Sequence, residues 1–185
     1  MTSPTETGSV TAGVLRIMEY PAPILRRRMP PVTEVDGALQ ARIDRMFATL
    51  YPSNGLGLAA PQVGEELRLF IYDLSVRDQK AGGPRKPVVV INPEIVAMEG
   101  EEVAEEGCLS IPGYFESVKR ALRVQLRGVD RHGREIRMEA EGLVARLFQH
   151  EVDHLNGVMM IDHLSGLKRD IFLRKFKKGR QGAAV

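Results

Sequence analysis

The sequence predicts an α+β fold in a single domain, with antiparallel strands packed around a central helix. Its 185 residues, 43% of them hydrophobic and 27% charged, suit one domain with a single core. Segments rich in β-branched and aromatic residues fill the middle of the chain and precede one amphipathic helix, an order typical of α+β proteins. Polar turns that contain Gly or Pro separate these segments, which favours antiparallel pairing of neighbours.

The first part of the chain is predicted to contain a tail, a short strand and one helix. Residues 1–13, rich in Thr, Ser and Gly, are expected to form a flexible tail, residues 14–20 a strand, and PAPILRRRM a helical turn begun by proline. Asp36 should cap a helix that stops at Pro52. The apolar face of this helix follows the helical period and consists of Leu39, Ile43, Met46, Phe47 and Leu50.

The sequence SNGLGLAAPQ, residues 53–62, is predicted to be a loop beside a binding site. Gly55 and Gly57 permit a close approach that a Cβ would block, so a peptide could lie against the main chain of residues 58–60. Gln62 offers a side-chain amide that can donate to an oxyanion. Taken alone, the loop would more often be a tight turn with an exposed Gln.

The middle of the chain is predicted to form two pairs of strands. Residues 67–74 and 87–98 have the composition of strands, and the polar RDQKAGGPRK sequence between them predicts a hairpin loop. RVQLRGVD and EIRMEA alternate apolar and polar residues on either side of the turn RHGR, which indicates antiparallel pairing.

The segment Gln149–Gly157, QHEVDHLNG, contains the pattern His-Glu-x-x-His on a predicted helix. On one helix face His150 and His154 lie a turn apart, so both imidazoles can bind one ion. Such an ion lowers the pKa of water, and Glu151 beside it can take and return the proton. The pattern predicts metal-assisted hydrolysis; the alternative is a solvated helix with two surface histidines. The apolar stripe of this helix, which Gly157 should end, consists of Leu143, Val144, Leu147, Phe148, Val152 and Leu155.

A third protein ligand is needed, and the sequence offers several. One metalloprotease class would place a His where this chain has Met160, and another would use a later Glu, which this chain lacks. Cys108, the only cysteine, is the better candidate, because a thiolate binds soft or borderline divalent ions strongly. A lone Cys is otherwise more often a small buried apolar residue. Three further candidates follow the helix: Asp162, His163, which is more typical of a surface or capping residue, and Asp170.

Three segments together resemble the peptide deformylases. They are GLGLAAPQ (residues 55–62), EGCLS (106–110) and QHEVDHLNG (149–157), in that family's order and at compatible spacings. The resemblance extends from about residue 14 to residue 178, and Leu56 and Pro61 are mild departures. It implies a hydrolase that removes the N-formyl group from the initiator methionine of nascent bacterial or organellar polypeptides.

The resemblance also implies roles for particular residues. Glu151 would be the general base and acid, and Gln62 with the backbone amide of Leu109 would hold the developing negative charge. Asp153 would pair with Arg120. The implied metal ligands are Cys108, His150 and His154, and the residues expected to contact substrate are Leu56, Gly57, Glu106, Gly107 and Leu143.

The metal and the reaction class leave alternatives open. Two imidazoles and a thiolate suit Zn, Fe(II), Ni or Co, and the resemblance implies Fe(II) as the native ion. A zinc protease and a metal-stabilised binding protein are the competing functions. The protease lacks its downstream ligand, and a closed structural zinc site would need four protein ligands.

Composition predicts a cytoplasmic protein without a membrane or DNA partner, and the resemblance implies a bacterial one. One Cys rules out an internal disulfide and fits a reducing compartment. The polar start has no signal or transit pattern, no apolar run has membrane-spanning length, and the net charge of +2 is too small to indicate nucleic-acid binding by the whole domain.

The segment 164–185 is predicted to be a basic amphipathic helix and tail that follows a catalytic domain of residues 14–163. The interpretation without a binding role is a solvated helix packed on that domain. The sharper hypothesis is a helix that docks on ribosomal RNA near the nascent-chain exit, similar to bacterial members of the family. Removing residues 168–185 should then abolish salt-sensitive ribosome binding and spare hydrolysis, provided the apolar face is not needed for folding. That face is predicted to consist of Leu164, Leu167, Ile171, Phe172 and Phe176.

Overall fold

The computed structural model describes residues 13–81 and 84–182, and among these it describes the side chains of residues 13–77 and 84–177. Nearly all of the predicted N-terminal tail therefore lies outside the described residues. The described chain forms one α+β domain, as predicted. Its helices are α1 (Gly37–Leu50), α2 (Gly142–Leu155) and α3 (Gly166–Gly182), and its strands are β1 (Gly57–Ala59), β2 (Leu69–Tyr72), β3 (Val88–Glu99), β4 (Glu102–Cys108), β5 (Ile111–Arg120), β6 (Arg123–Val129) and β7 (Glu135–Glu141).

The strands form one five-stranded sheet and one separate hairpin. The sheet has the order β1-β2-β3-β6-β7, and each neighbouring pair is antiparallel. Both predicted strand pairs, β2 with β3 and β6 with β7, are confirmed. The hairpin of β4 and β5 lies between β3 and β6 in the chain.

Helix α1 is confirmed with its predicted cap. The Asp36 carboxylate accepts a hydrogen bond from the Leu39 amide at 2.8 Å, which satisfies one free N–H of the first turn. All five predicted apolar residues of α1 are buried. A 3-10 helix, Tyr51–Ser53, continues the chain through Pro52, and the predicted proline-led turn is a 3-10 helix over Pro23–Arg26.

The structure corrects two predictions in the first third of the chain. Residues 14–20 form no strand, because their amides bond to separate elements: Leu15 to the Thr49 hydroxyl, Met18 to the Gln62 carbonyl and Tyr20 to the Ser110 carbonyl. The segment 53–62 is not wholly a loop. It contains strand β1 and a 3-10 helix, Ala60–Val63.

Helix α2 lies in the centre of the domain, with one face against the sheet. Phe148 packs against Phe70 and Tyr72 of β2, at ring-centroid distances of 6.0 and 5.4 Å. Leu143 departs from the predicted buried stripe, because it is exposed in the first turn. Gly157 adopts φ +75° after the helix, and a Cβ there would lie 2.6 Å from the Arg26 carbonyl oxygen, so both conformation and space require glycine.

The segment of residues 18–29 forms hydrogen bonds to all three deformylase-like motifs, GLGLAAPQ, EGCLS and QHEVDHLNG. Besides the bonds to Gln62 and Ser110, the Met29 amide donates to the Leu155 carbonyl at the end of α2 at 2.9 Å. These bonds hold the β1 region, the β4–β5 turn and α2 against one another.

Helix α3 packs on the domain, but with only part of the predicted apolar face: Phe172 and Phe176 are in contact with the core, and Leu164 just before the helix is buried. Phe172 is 2% exposed and lies in the same core cluster as Cys108 and Ile111, with Leu173 and Phe176 packed against it. Leu167 and Ile171 are 73% and 42% exposed, so their assignment to the buried face was wrong. The aromatic pair Phe172 and Phe176 decides the orientation of the helix, because both rings pack against Tyr20.

Candidate metal centre and substrate pocket

The side chains of Cys108, His150 and His154 meet where the end of β4 approaches α2. Their ligand atoms all lie within 4.8 Å of one another, and they are the one group of His, Cys, Asp or Glu among the described residues with this geometry. Sγ of Cys108 is 3.3 Å from Nε2 of His154, which is 3.2 Å from Nε2 of His150. The two imidazoles and the thiol therefore direct their donor atoms to a single point.

This arrangement fits a divalent transition metal. Two ring nitrogens and a sulfur atom that face each other at such distances are stabilised by a shared cation. Three protein ligands also leave a coordination position open, as catalytic sites require.

The environment of Cys108 favours the thiolate that metal binding needs, whereas that of His150 favours an imidazolium, whose proton a bound cation would have to replace. Burial raises the pKa of the Cys108 thiol, but His154 and His150 outweigh burial and hold the pKa of this thiol well below its usual range. Burial lowers the pKa of His150, yet Cys108 and Glu106 raise it overall by stabilising the imidazolium. The same negative charges would stabilise a cation between the ligands.

Glu106 supports the metal ligand His150 from behind. Its carboxylate accepts from His150 Nδ1 at 3.1 Å, which leaves Nε2 for the ion. Arg120 donates to both oxygens at 2.9 and 3.1 Å, and Arg146 donates at 2.8 Å. Burial raises the pKa of Glu106, but the His150 and Arg120 hydrogen bonds outweigh burial and hold this pKa far below its usual value. Glu106 was expected to contact substrate; it lines the pocket, but its carboxylate is engaged by these three partners.

Asp153 extends this network, as the resemblance implied. Its Oδ2 lies 2.5 Å from Arg120 Nη1 and 2.7 Å from His163 Nε2. Burial raises the pKa of Asp153, but the His163 hydrogen bond and Arg120 lower it overall.

The other ligand candidates lie elsewhere. His163 belongs to the Asp153 network just described, and Asp162 pairs with Arg26 and accepts from the Met159 amide. Asp170 is exposed on α3, and Met160 is buried in the core. Of the candidates that the sequence offered, the structure brings Cys108 to the two histidines.

Glu151 lies beside the three ligand residues and is buried. Burial raises the pKa of its carboxyl group to about 7. Oε2 has no hydrogen-bond partner among the described residues, and Oε1 lies 2.6 Å from the position a Cβ of Gly57 would take. A carboxyl group with a pKa near neutrality suits the exchange of protons with a substrate.

The side chain of Gln62 is oriented by the backbone of β1. Its Oε1 accepts from the Ala59 amide at 2.8 Å, so its Nε2 faces Cys108 Sγ at 3.7 Å and Ser110 Oγ at 3.3 Å. The amide thus presents donors towards the metal centre. Ser110 is fully buried with its hydroxyl next to Gln62.

A pocket of about 630 Å³ opens onto this centre. This volume is typical of sites that bury a ligand of drug size. All five residues expected to contact substrate line the pocket, together with Gln62, Leu109 and Glu151. Among the lining residues that sequence reasoning missed are Arg77 and Phe115, because nothing in their local pattern relates them to the motifs.

No helix in the described part of the chain is both long and apolar enough to cross a membrane.

Comparisons with a family model, with curated sequences and with solved structures all point to one family. Residues 14–170 match the family model described as polypeptide deformylase. A peptide deformylase from Thermodesulfovibrio yellowstonii is 49% identical over 164 residues, which cover 89% of this chain and 97% of the relative. The crystal structure of a peptide deformylase from Legionella pneumophila matches with a TM-score of 0.83 at 42% identity, covering 92% of this chain and 98% of the other. A peptide deformylase from Synechococcus elongatus, solved in complex with actinonin, matches with a TM-score of 0.80 at 36% identity, covering 95% and 92%.

Proposed function

The chain belongs to the polypeptide deformylase family, hydrolases that remove the N-formyl group from nascent polypeptides, and we propose that it acts on formyl-methionyl N-termini by metal-dependent hydrolysis. The observation that carries this proposal is the convergence of Cys108, His150 and His154 on one point beside the buried Glu151, at the base of the pocket.

Cys108, His150 and His154 would hold the ion. When bound, a divalent metal supplies Lewis acidity, which lowers the pKa of water and polarises the formyl carbonyl. Fe(II) is our expectation for the native ion, on the family resemblance, while the ligand set also suits Zn, Ni or Co.

Glu151 is proposed to move the proton. As a base it takes a proton from the attacking water, and as an acid it donates that proton to the methionine nitrogen while the formyl C–N bond breaks. Formate and a free amine are the products. A pKa near neutrality allows one carboxyl group to perform both transfers.

Gln62 and the Leu109 amide are proposed to stabilise the oxyanion. The Gln62 Nε2 group already faces the centre, since Ala59 fixes its oxygen. Preorganised donors of this kind are worth about 10²–10³ in kcat.

The methionine side chain is proposed to contact the apolar wall of the pocket. Leu143 and Leu147 provide that wall from α2, and Leu56 provides it from the opposite side. The substrate backbone would lie between β1 and β4, beside Gly57 and Gly107, which both line the pocket.

A peptidase and a metal-stabilised binding protein remain the competing functions, and one experiment separates all three. Anaerobically purified protein is analysed for metal and assayed on a formyl-Met peptide and on the same peptide without the formyl group. We expect one metal per chain, release of formate from the first peptide and no cleavage of the second. Cleavage of internal peptide bonds would support a protease, and metal without turnover would support a binding protein.

We also propose that the exposed basic residues of α3 contact ribosomal RNA, which would place the enzyme in the cytoplasm with its nascent substrates. Lys168 and Arg169 pair with Glu116 and Asp162, whereas three further cations are exposed: Arg174, Lys175 and Lys177. Changing these three to Glu should abolish salt-sensitive ribosome binding and leave hydrolysis of short peptides unchanged. Equal ribosome binding by the triple variant would refute this role.

A further inference from the structure

Phe115 is an exposed aromatic residue at the rim of the substrate pocket. Its side chain is 62% exposed on β5, directly opposite Gly107 of β4. A Cβ at Gly107 would lie 2.5 Å from the ring, so the ring lies over the bare backbone of Gly107. Both residues line the pocket. An exposed aromatic ring in this position offers apolar surface to a ligand that extends out of the pocket over β4.

The alternation of side chains along β4 shows on which side of the strand this ring lies. Glu106 and Cys108 are buried and face the metal centre, whereas Glu105 and Gly107 face outwards. Because Phe115 covers the outward side of Gly107, the ring lies on the solvent side of the strand.

An extended peptide that binds alongside β4 has the same alternation. If the methionine side chain points inwards to Leu143 and Leu147, the side chain of the next residue points to the opposite side. That side is where Phe115 is exposed. The pocket volume of about 630 Å³ also exceeds what a formyl-methionyl group alone requires.

Charge at the rim does not give a simple preference. Arg77 and Glu105 both line the pocket, both are exposed, and their charges have opposite sign. The distinguishing feature of the outer side is therefore the Phe115 ring.

We propose that Phe115 is a specificity-determining residue that favours a large apolar or aromatic side chain immediately after the formyl-methionine. This inference rests on the proposed function. Contact between aromatic groups, or between an aromatic and an aliphatic group, should raise kcat/KM about three- to tenfold over a peptide with Gly at that position.

The test compares formyl-Met-X peptides, with X as Gly, Ser, Leu or Phe, on the metal-loaded protein. Wild type should prefer Phe and Leu over Gly, and Phe115→Ala should reduce the ratio of kcat/KM for X as Phe or Leu to kcat/KM for X as Gly to about one. Val103→Ala is the matched control, since Val103 is 64% exposed on the outer side of the same hairpin and does not line the pocket. Phe115→Leu should keep the preference for Leu and lose most of that for Phe.

Each outcome decides between the two claims. Hydrolysis of all four peptides at similar rates by wild type, or an unchanged preference in folded Phe115→Ala, would overturn this inference and leave the proposed function intact. Should Phe115→Ala not fold, the Phe115→Leu profile decides, and an unaltered Phe preference overturns the inference. Hydrolysis of none of the four would contradict the proposed function itself and the inference with it.

Discussion

The carboxyl group of Glu151 is buried beside the metal-ligand residues, and its pKa of about 7 is the property that the proposed proton transfer needs. Replacing it by Gln keeps its shape and removes the proton carrier. We expect Glu151→Gln to retain its metal and melting temperature and to lose about 10²–10⁴ in kcat. Formate release by the metal-loaded variant measures this, and activity close to wild type would remove Glu151 from the mechanism.

Gly57 leaves the space that the Glu151 carboxylate occupies. A Cβ at Gly57 would lie 2.6 Å from Oε1 and 3.1 Å from Cδ, so Gly57→Ala should displace the carboxylate. A shift of about 1 Å can lower kcat about a hundredfold, and metal content should not change. Gly37→Ala is the control, because nothing lies within 4 Å of a Cβ there. Full activity of Gly57→Ala would show that the carboxylate position is not critical.

At the residue scale, the proximity of the candidate ligands could be predicted where the motif was local. The spacing of His150 and His154 on one helix already placed both rings together, and Cys108 was preferred because its chemistry suits them. The engagement of Glu106 by Arg120 and Arg146 could not be predicted, because it depends on how β4 and β5 lie against α2. Phe115 was missed for the same reason.

The 3-10 helix Met160–His163, which follows α2, contains Asp162, whose carboxylate accepts from the Met159 amide. Burial raises the pKa of Asp162, but hydrogen bonds from Arg26 and the Met159 amide, with the charge of Arg169, lower it overall. Because the pKa of Asp162 is lower in the folded protein, its ionisation stabilises the fold at pH values above the ordinary Asp pKa of about 3.9. This contribution is lost as the pH falls through the folded-state pKa.

Asp162→Asn keeps an acceptor for the Met159 amide and removes the charge. It should lower the free energy of unfolding by about 0.2–1 kcal/mol at pH 7, and the difference from wild type should disappear in acid. Denaturant titrations at several pH values measure this difference. A difference that does not depend on pH would mean that the ion pairs contribute nothing.

Helix α3 is part of the folded core, which changes how its function can be tested. The predicted effect of deleting residues 168–185 assumed that the apolar face of the helix is not needed for folding. That assumption fails, because the deletion removes Phe172, which is buried in the core. We expect Phe172→Ala to lower the free energy of unfolding by about 3–5 kcal/mol. Ile171→Ala, on the exposed side of the same turn, should change it by less than about 0.5 kcal/mol. Equal stability of the two variants in denaturant would show that α3 is only loosely attached.

Elements with strong periodicity were predicted well, and the others were not. Helices α1 and α2 and strands β2, β3, β6 and β7 were predicted from local pattern. The hairpin of β4 and β5 escaped prediction because the glutamate-rich EEVAEEGC sequence has little strand character. The strand predicted over residues 14–20 failed because the hydrogen bonds of this segment go to scattered partners.

At the scale of the whole molecule, the metal centre joins two separate parts of the fold. Cys108 comes from the β4–β5 hairpin, and both histidines come from α2. A ligand that binds only the folded protein at a hundred times its dissociation constant stabilises it by about 2.7 kcal/mol, which corresponds to about 5–10 °C in melting temperature. We therefore expect chelation to lower the melting temperature by about this amount.

Cys108→Ser provides the comparison for that experiment. It should bind metal more weakly, because an alcohol is a much poorer anion than a thiol, and chelation should hardly change its melting temperature. Glu151→Gln should respond as wild type does. Unchanged metal affinity in Cys108→Ser would remove Cys108 from the ligand set.

The hydrogen bonds from residues 18, 20 and 29 to the three motifs have a consequence for biosynthesis. Met29 is synthesised early, but its hydrogen-bond partner Leu155 leaves the ribosome more than a hundred residues later. Within the site, Gln62 and Cys108 are 46 residues apart in the chain, and so are Cys108 and His154. Closing such loops costs entropy that only the finished core repays. We expect ribosome-bound chains that end before residue 155 to bind no metal at this site. Under the proposed function, a growing chain of this protein therefore has no deformylase activity of its own until residue 155 has been made and folded.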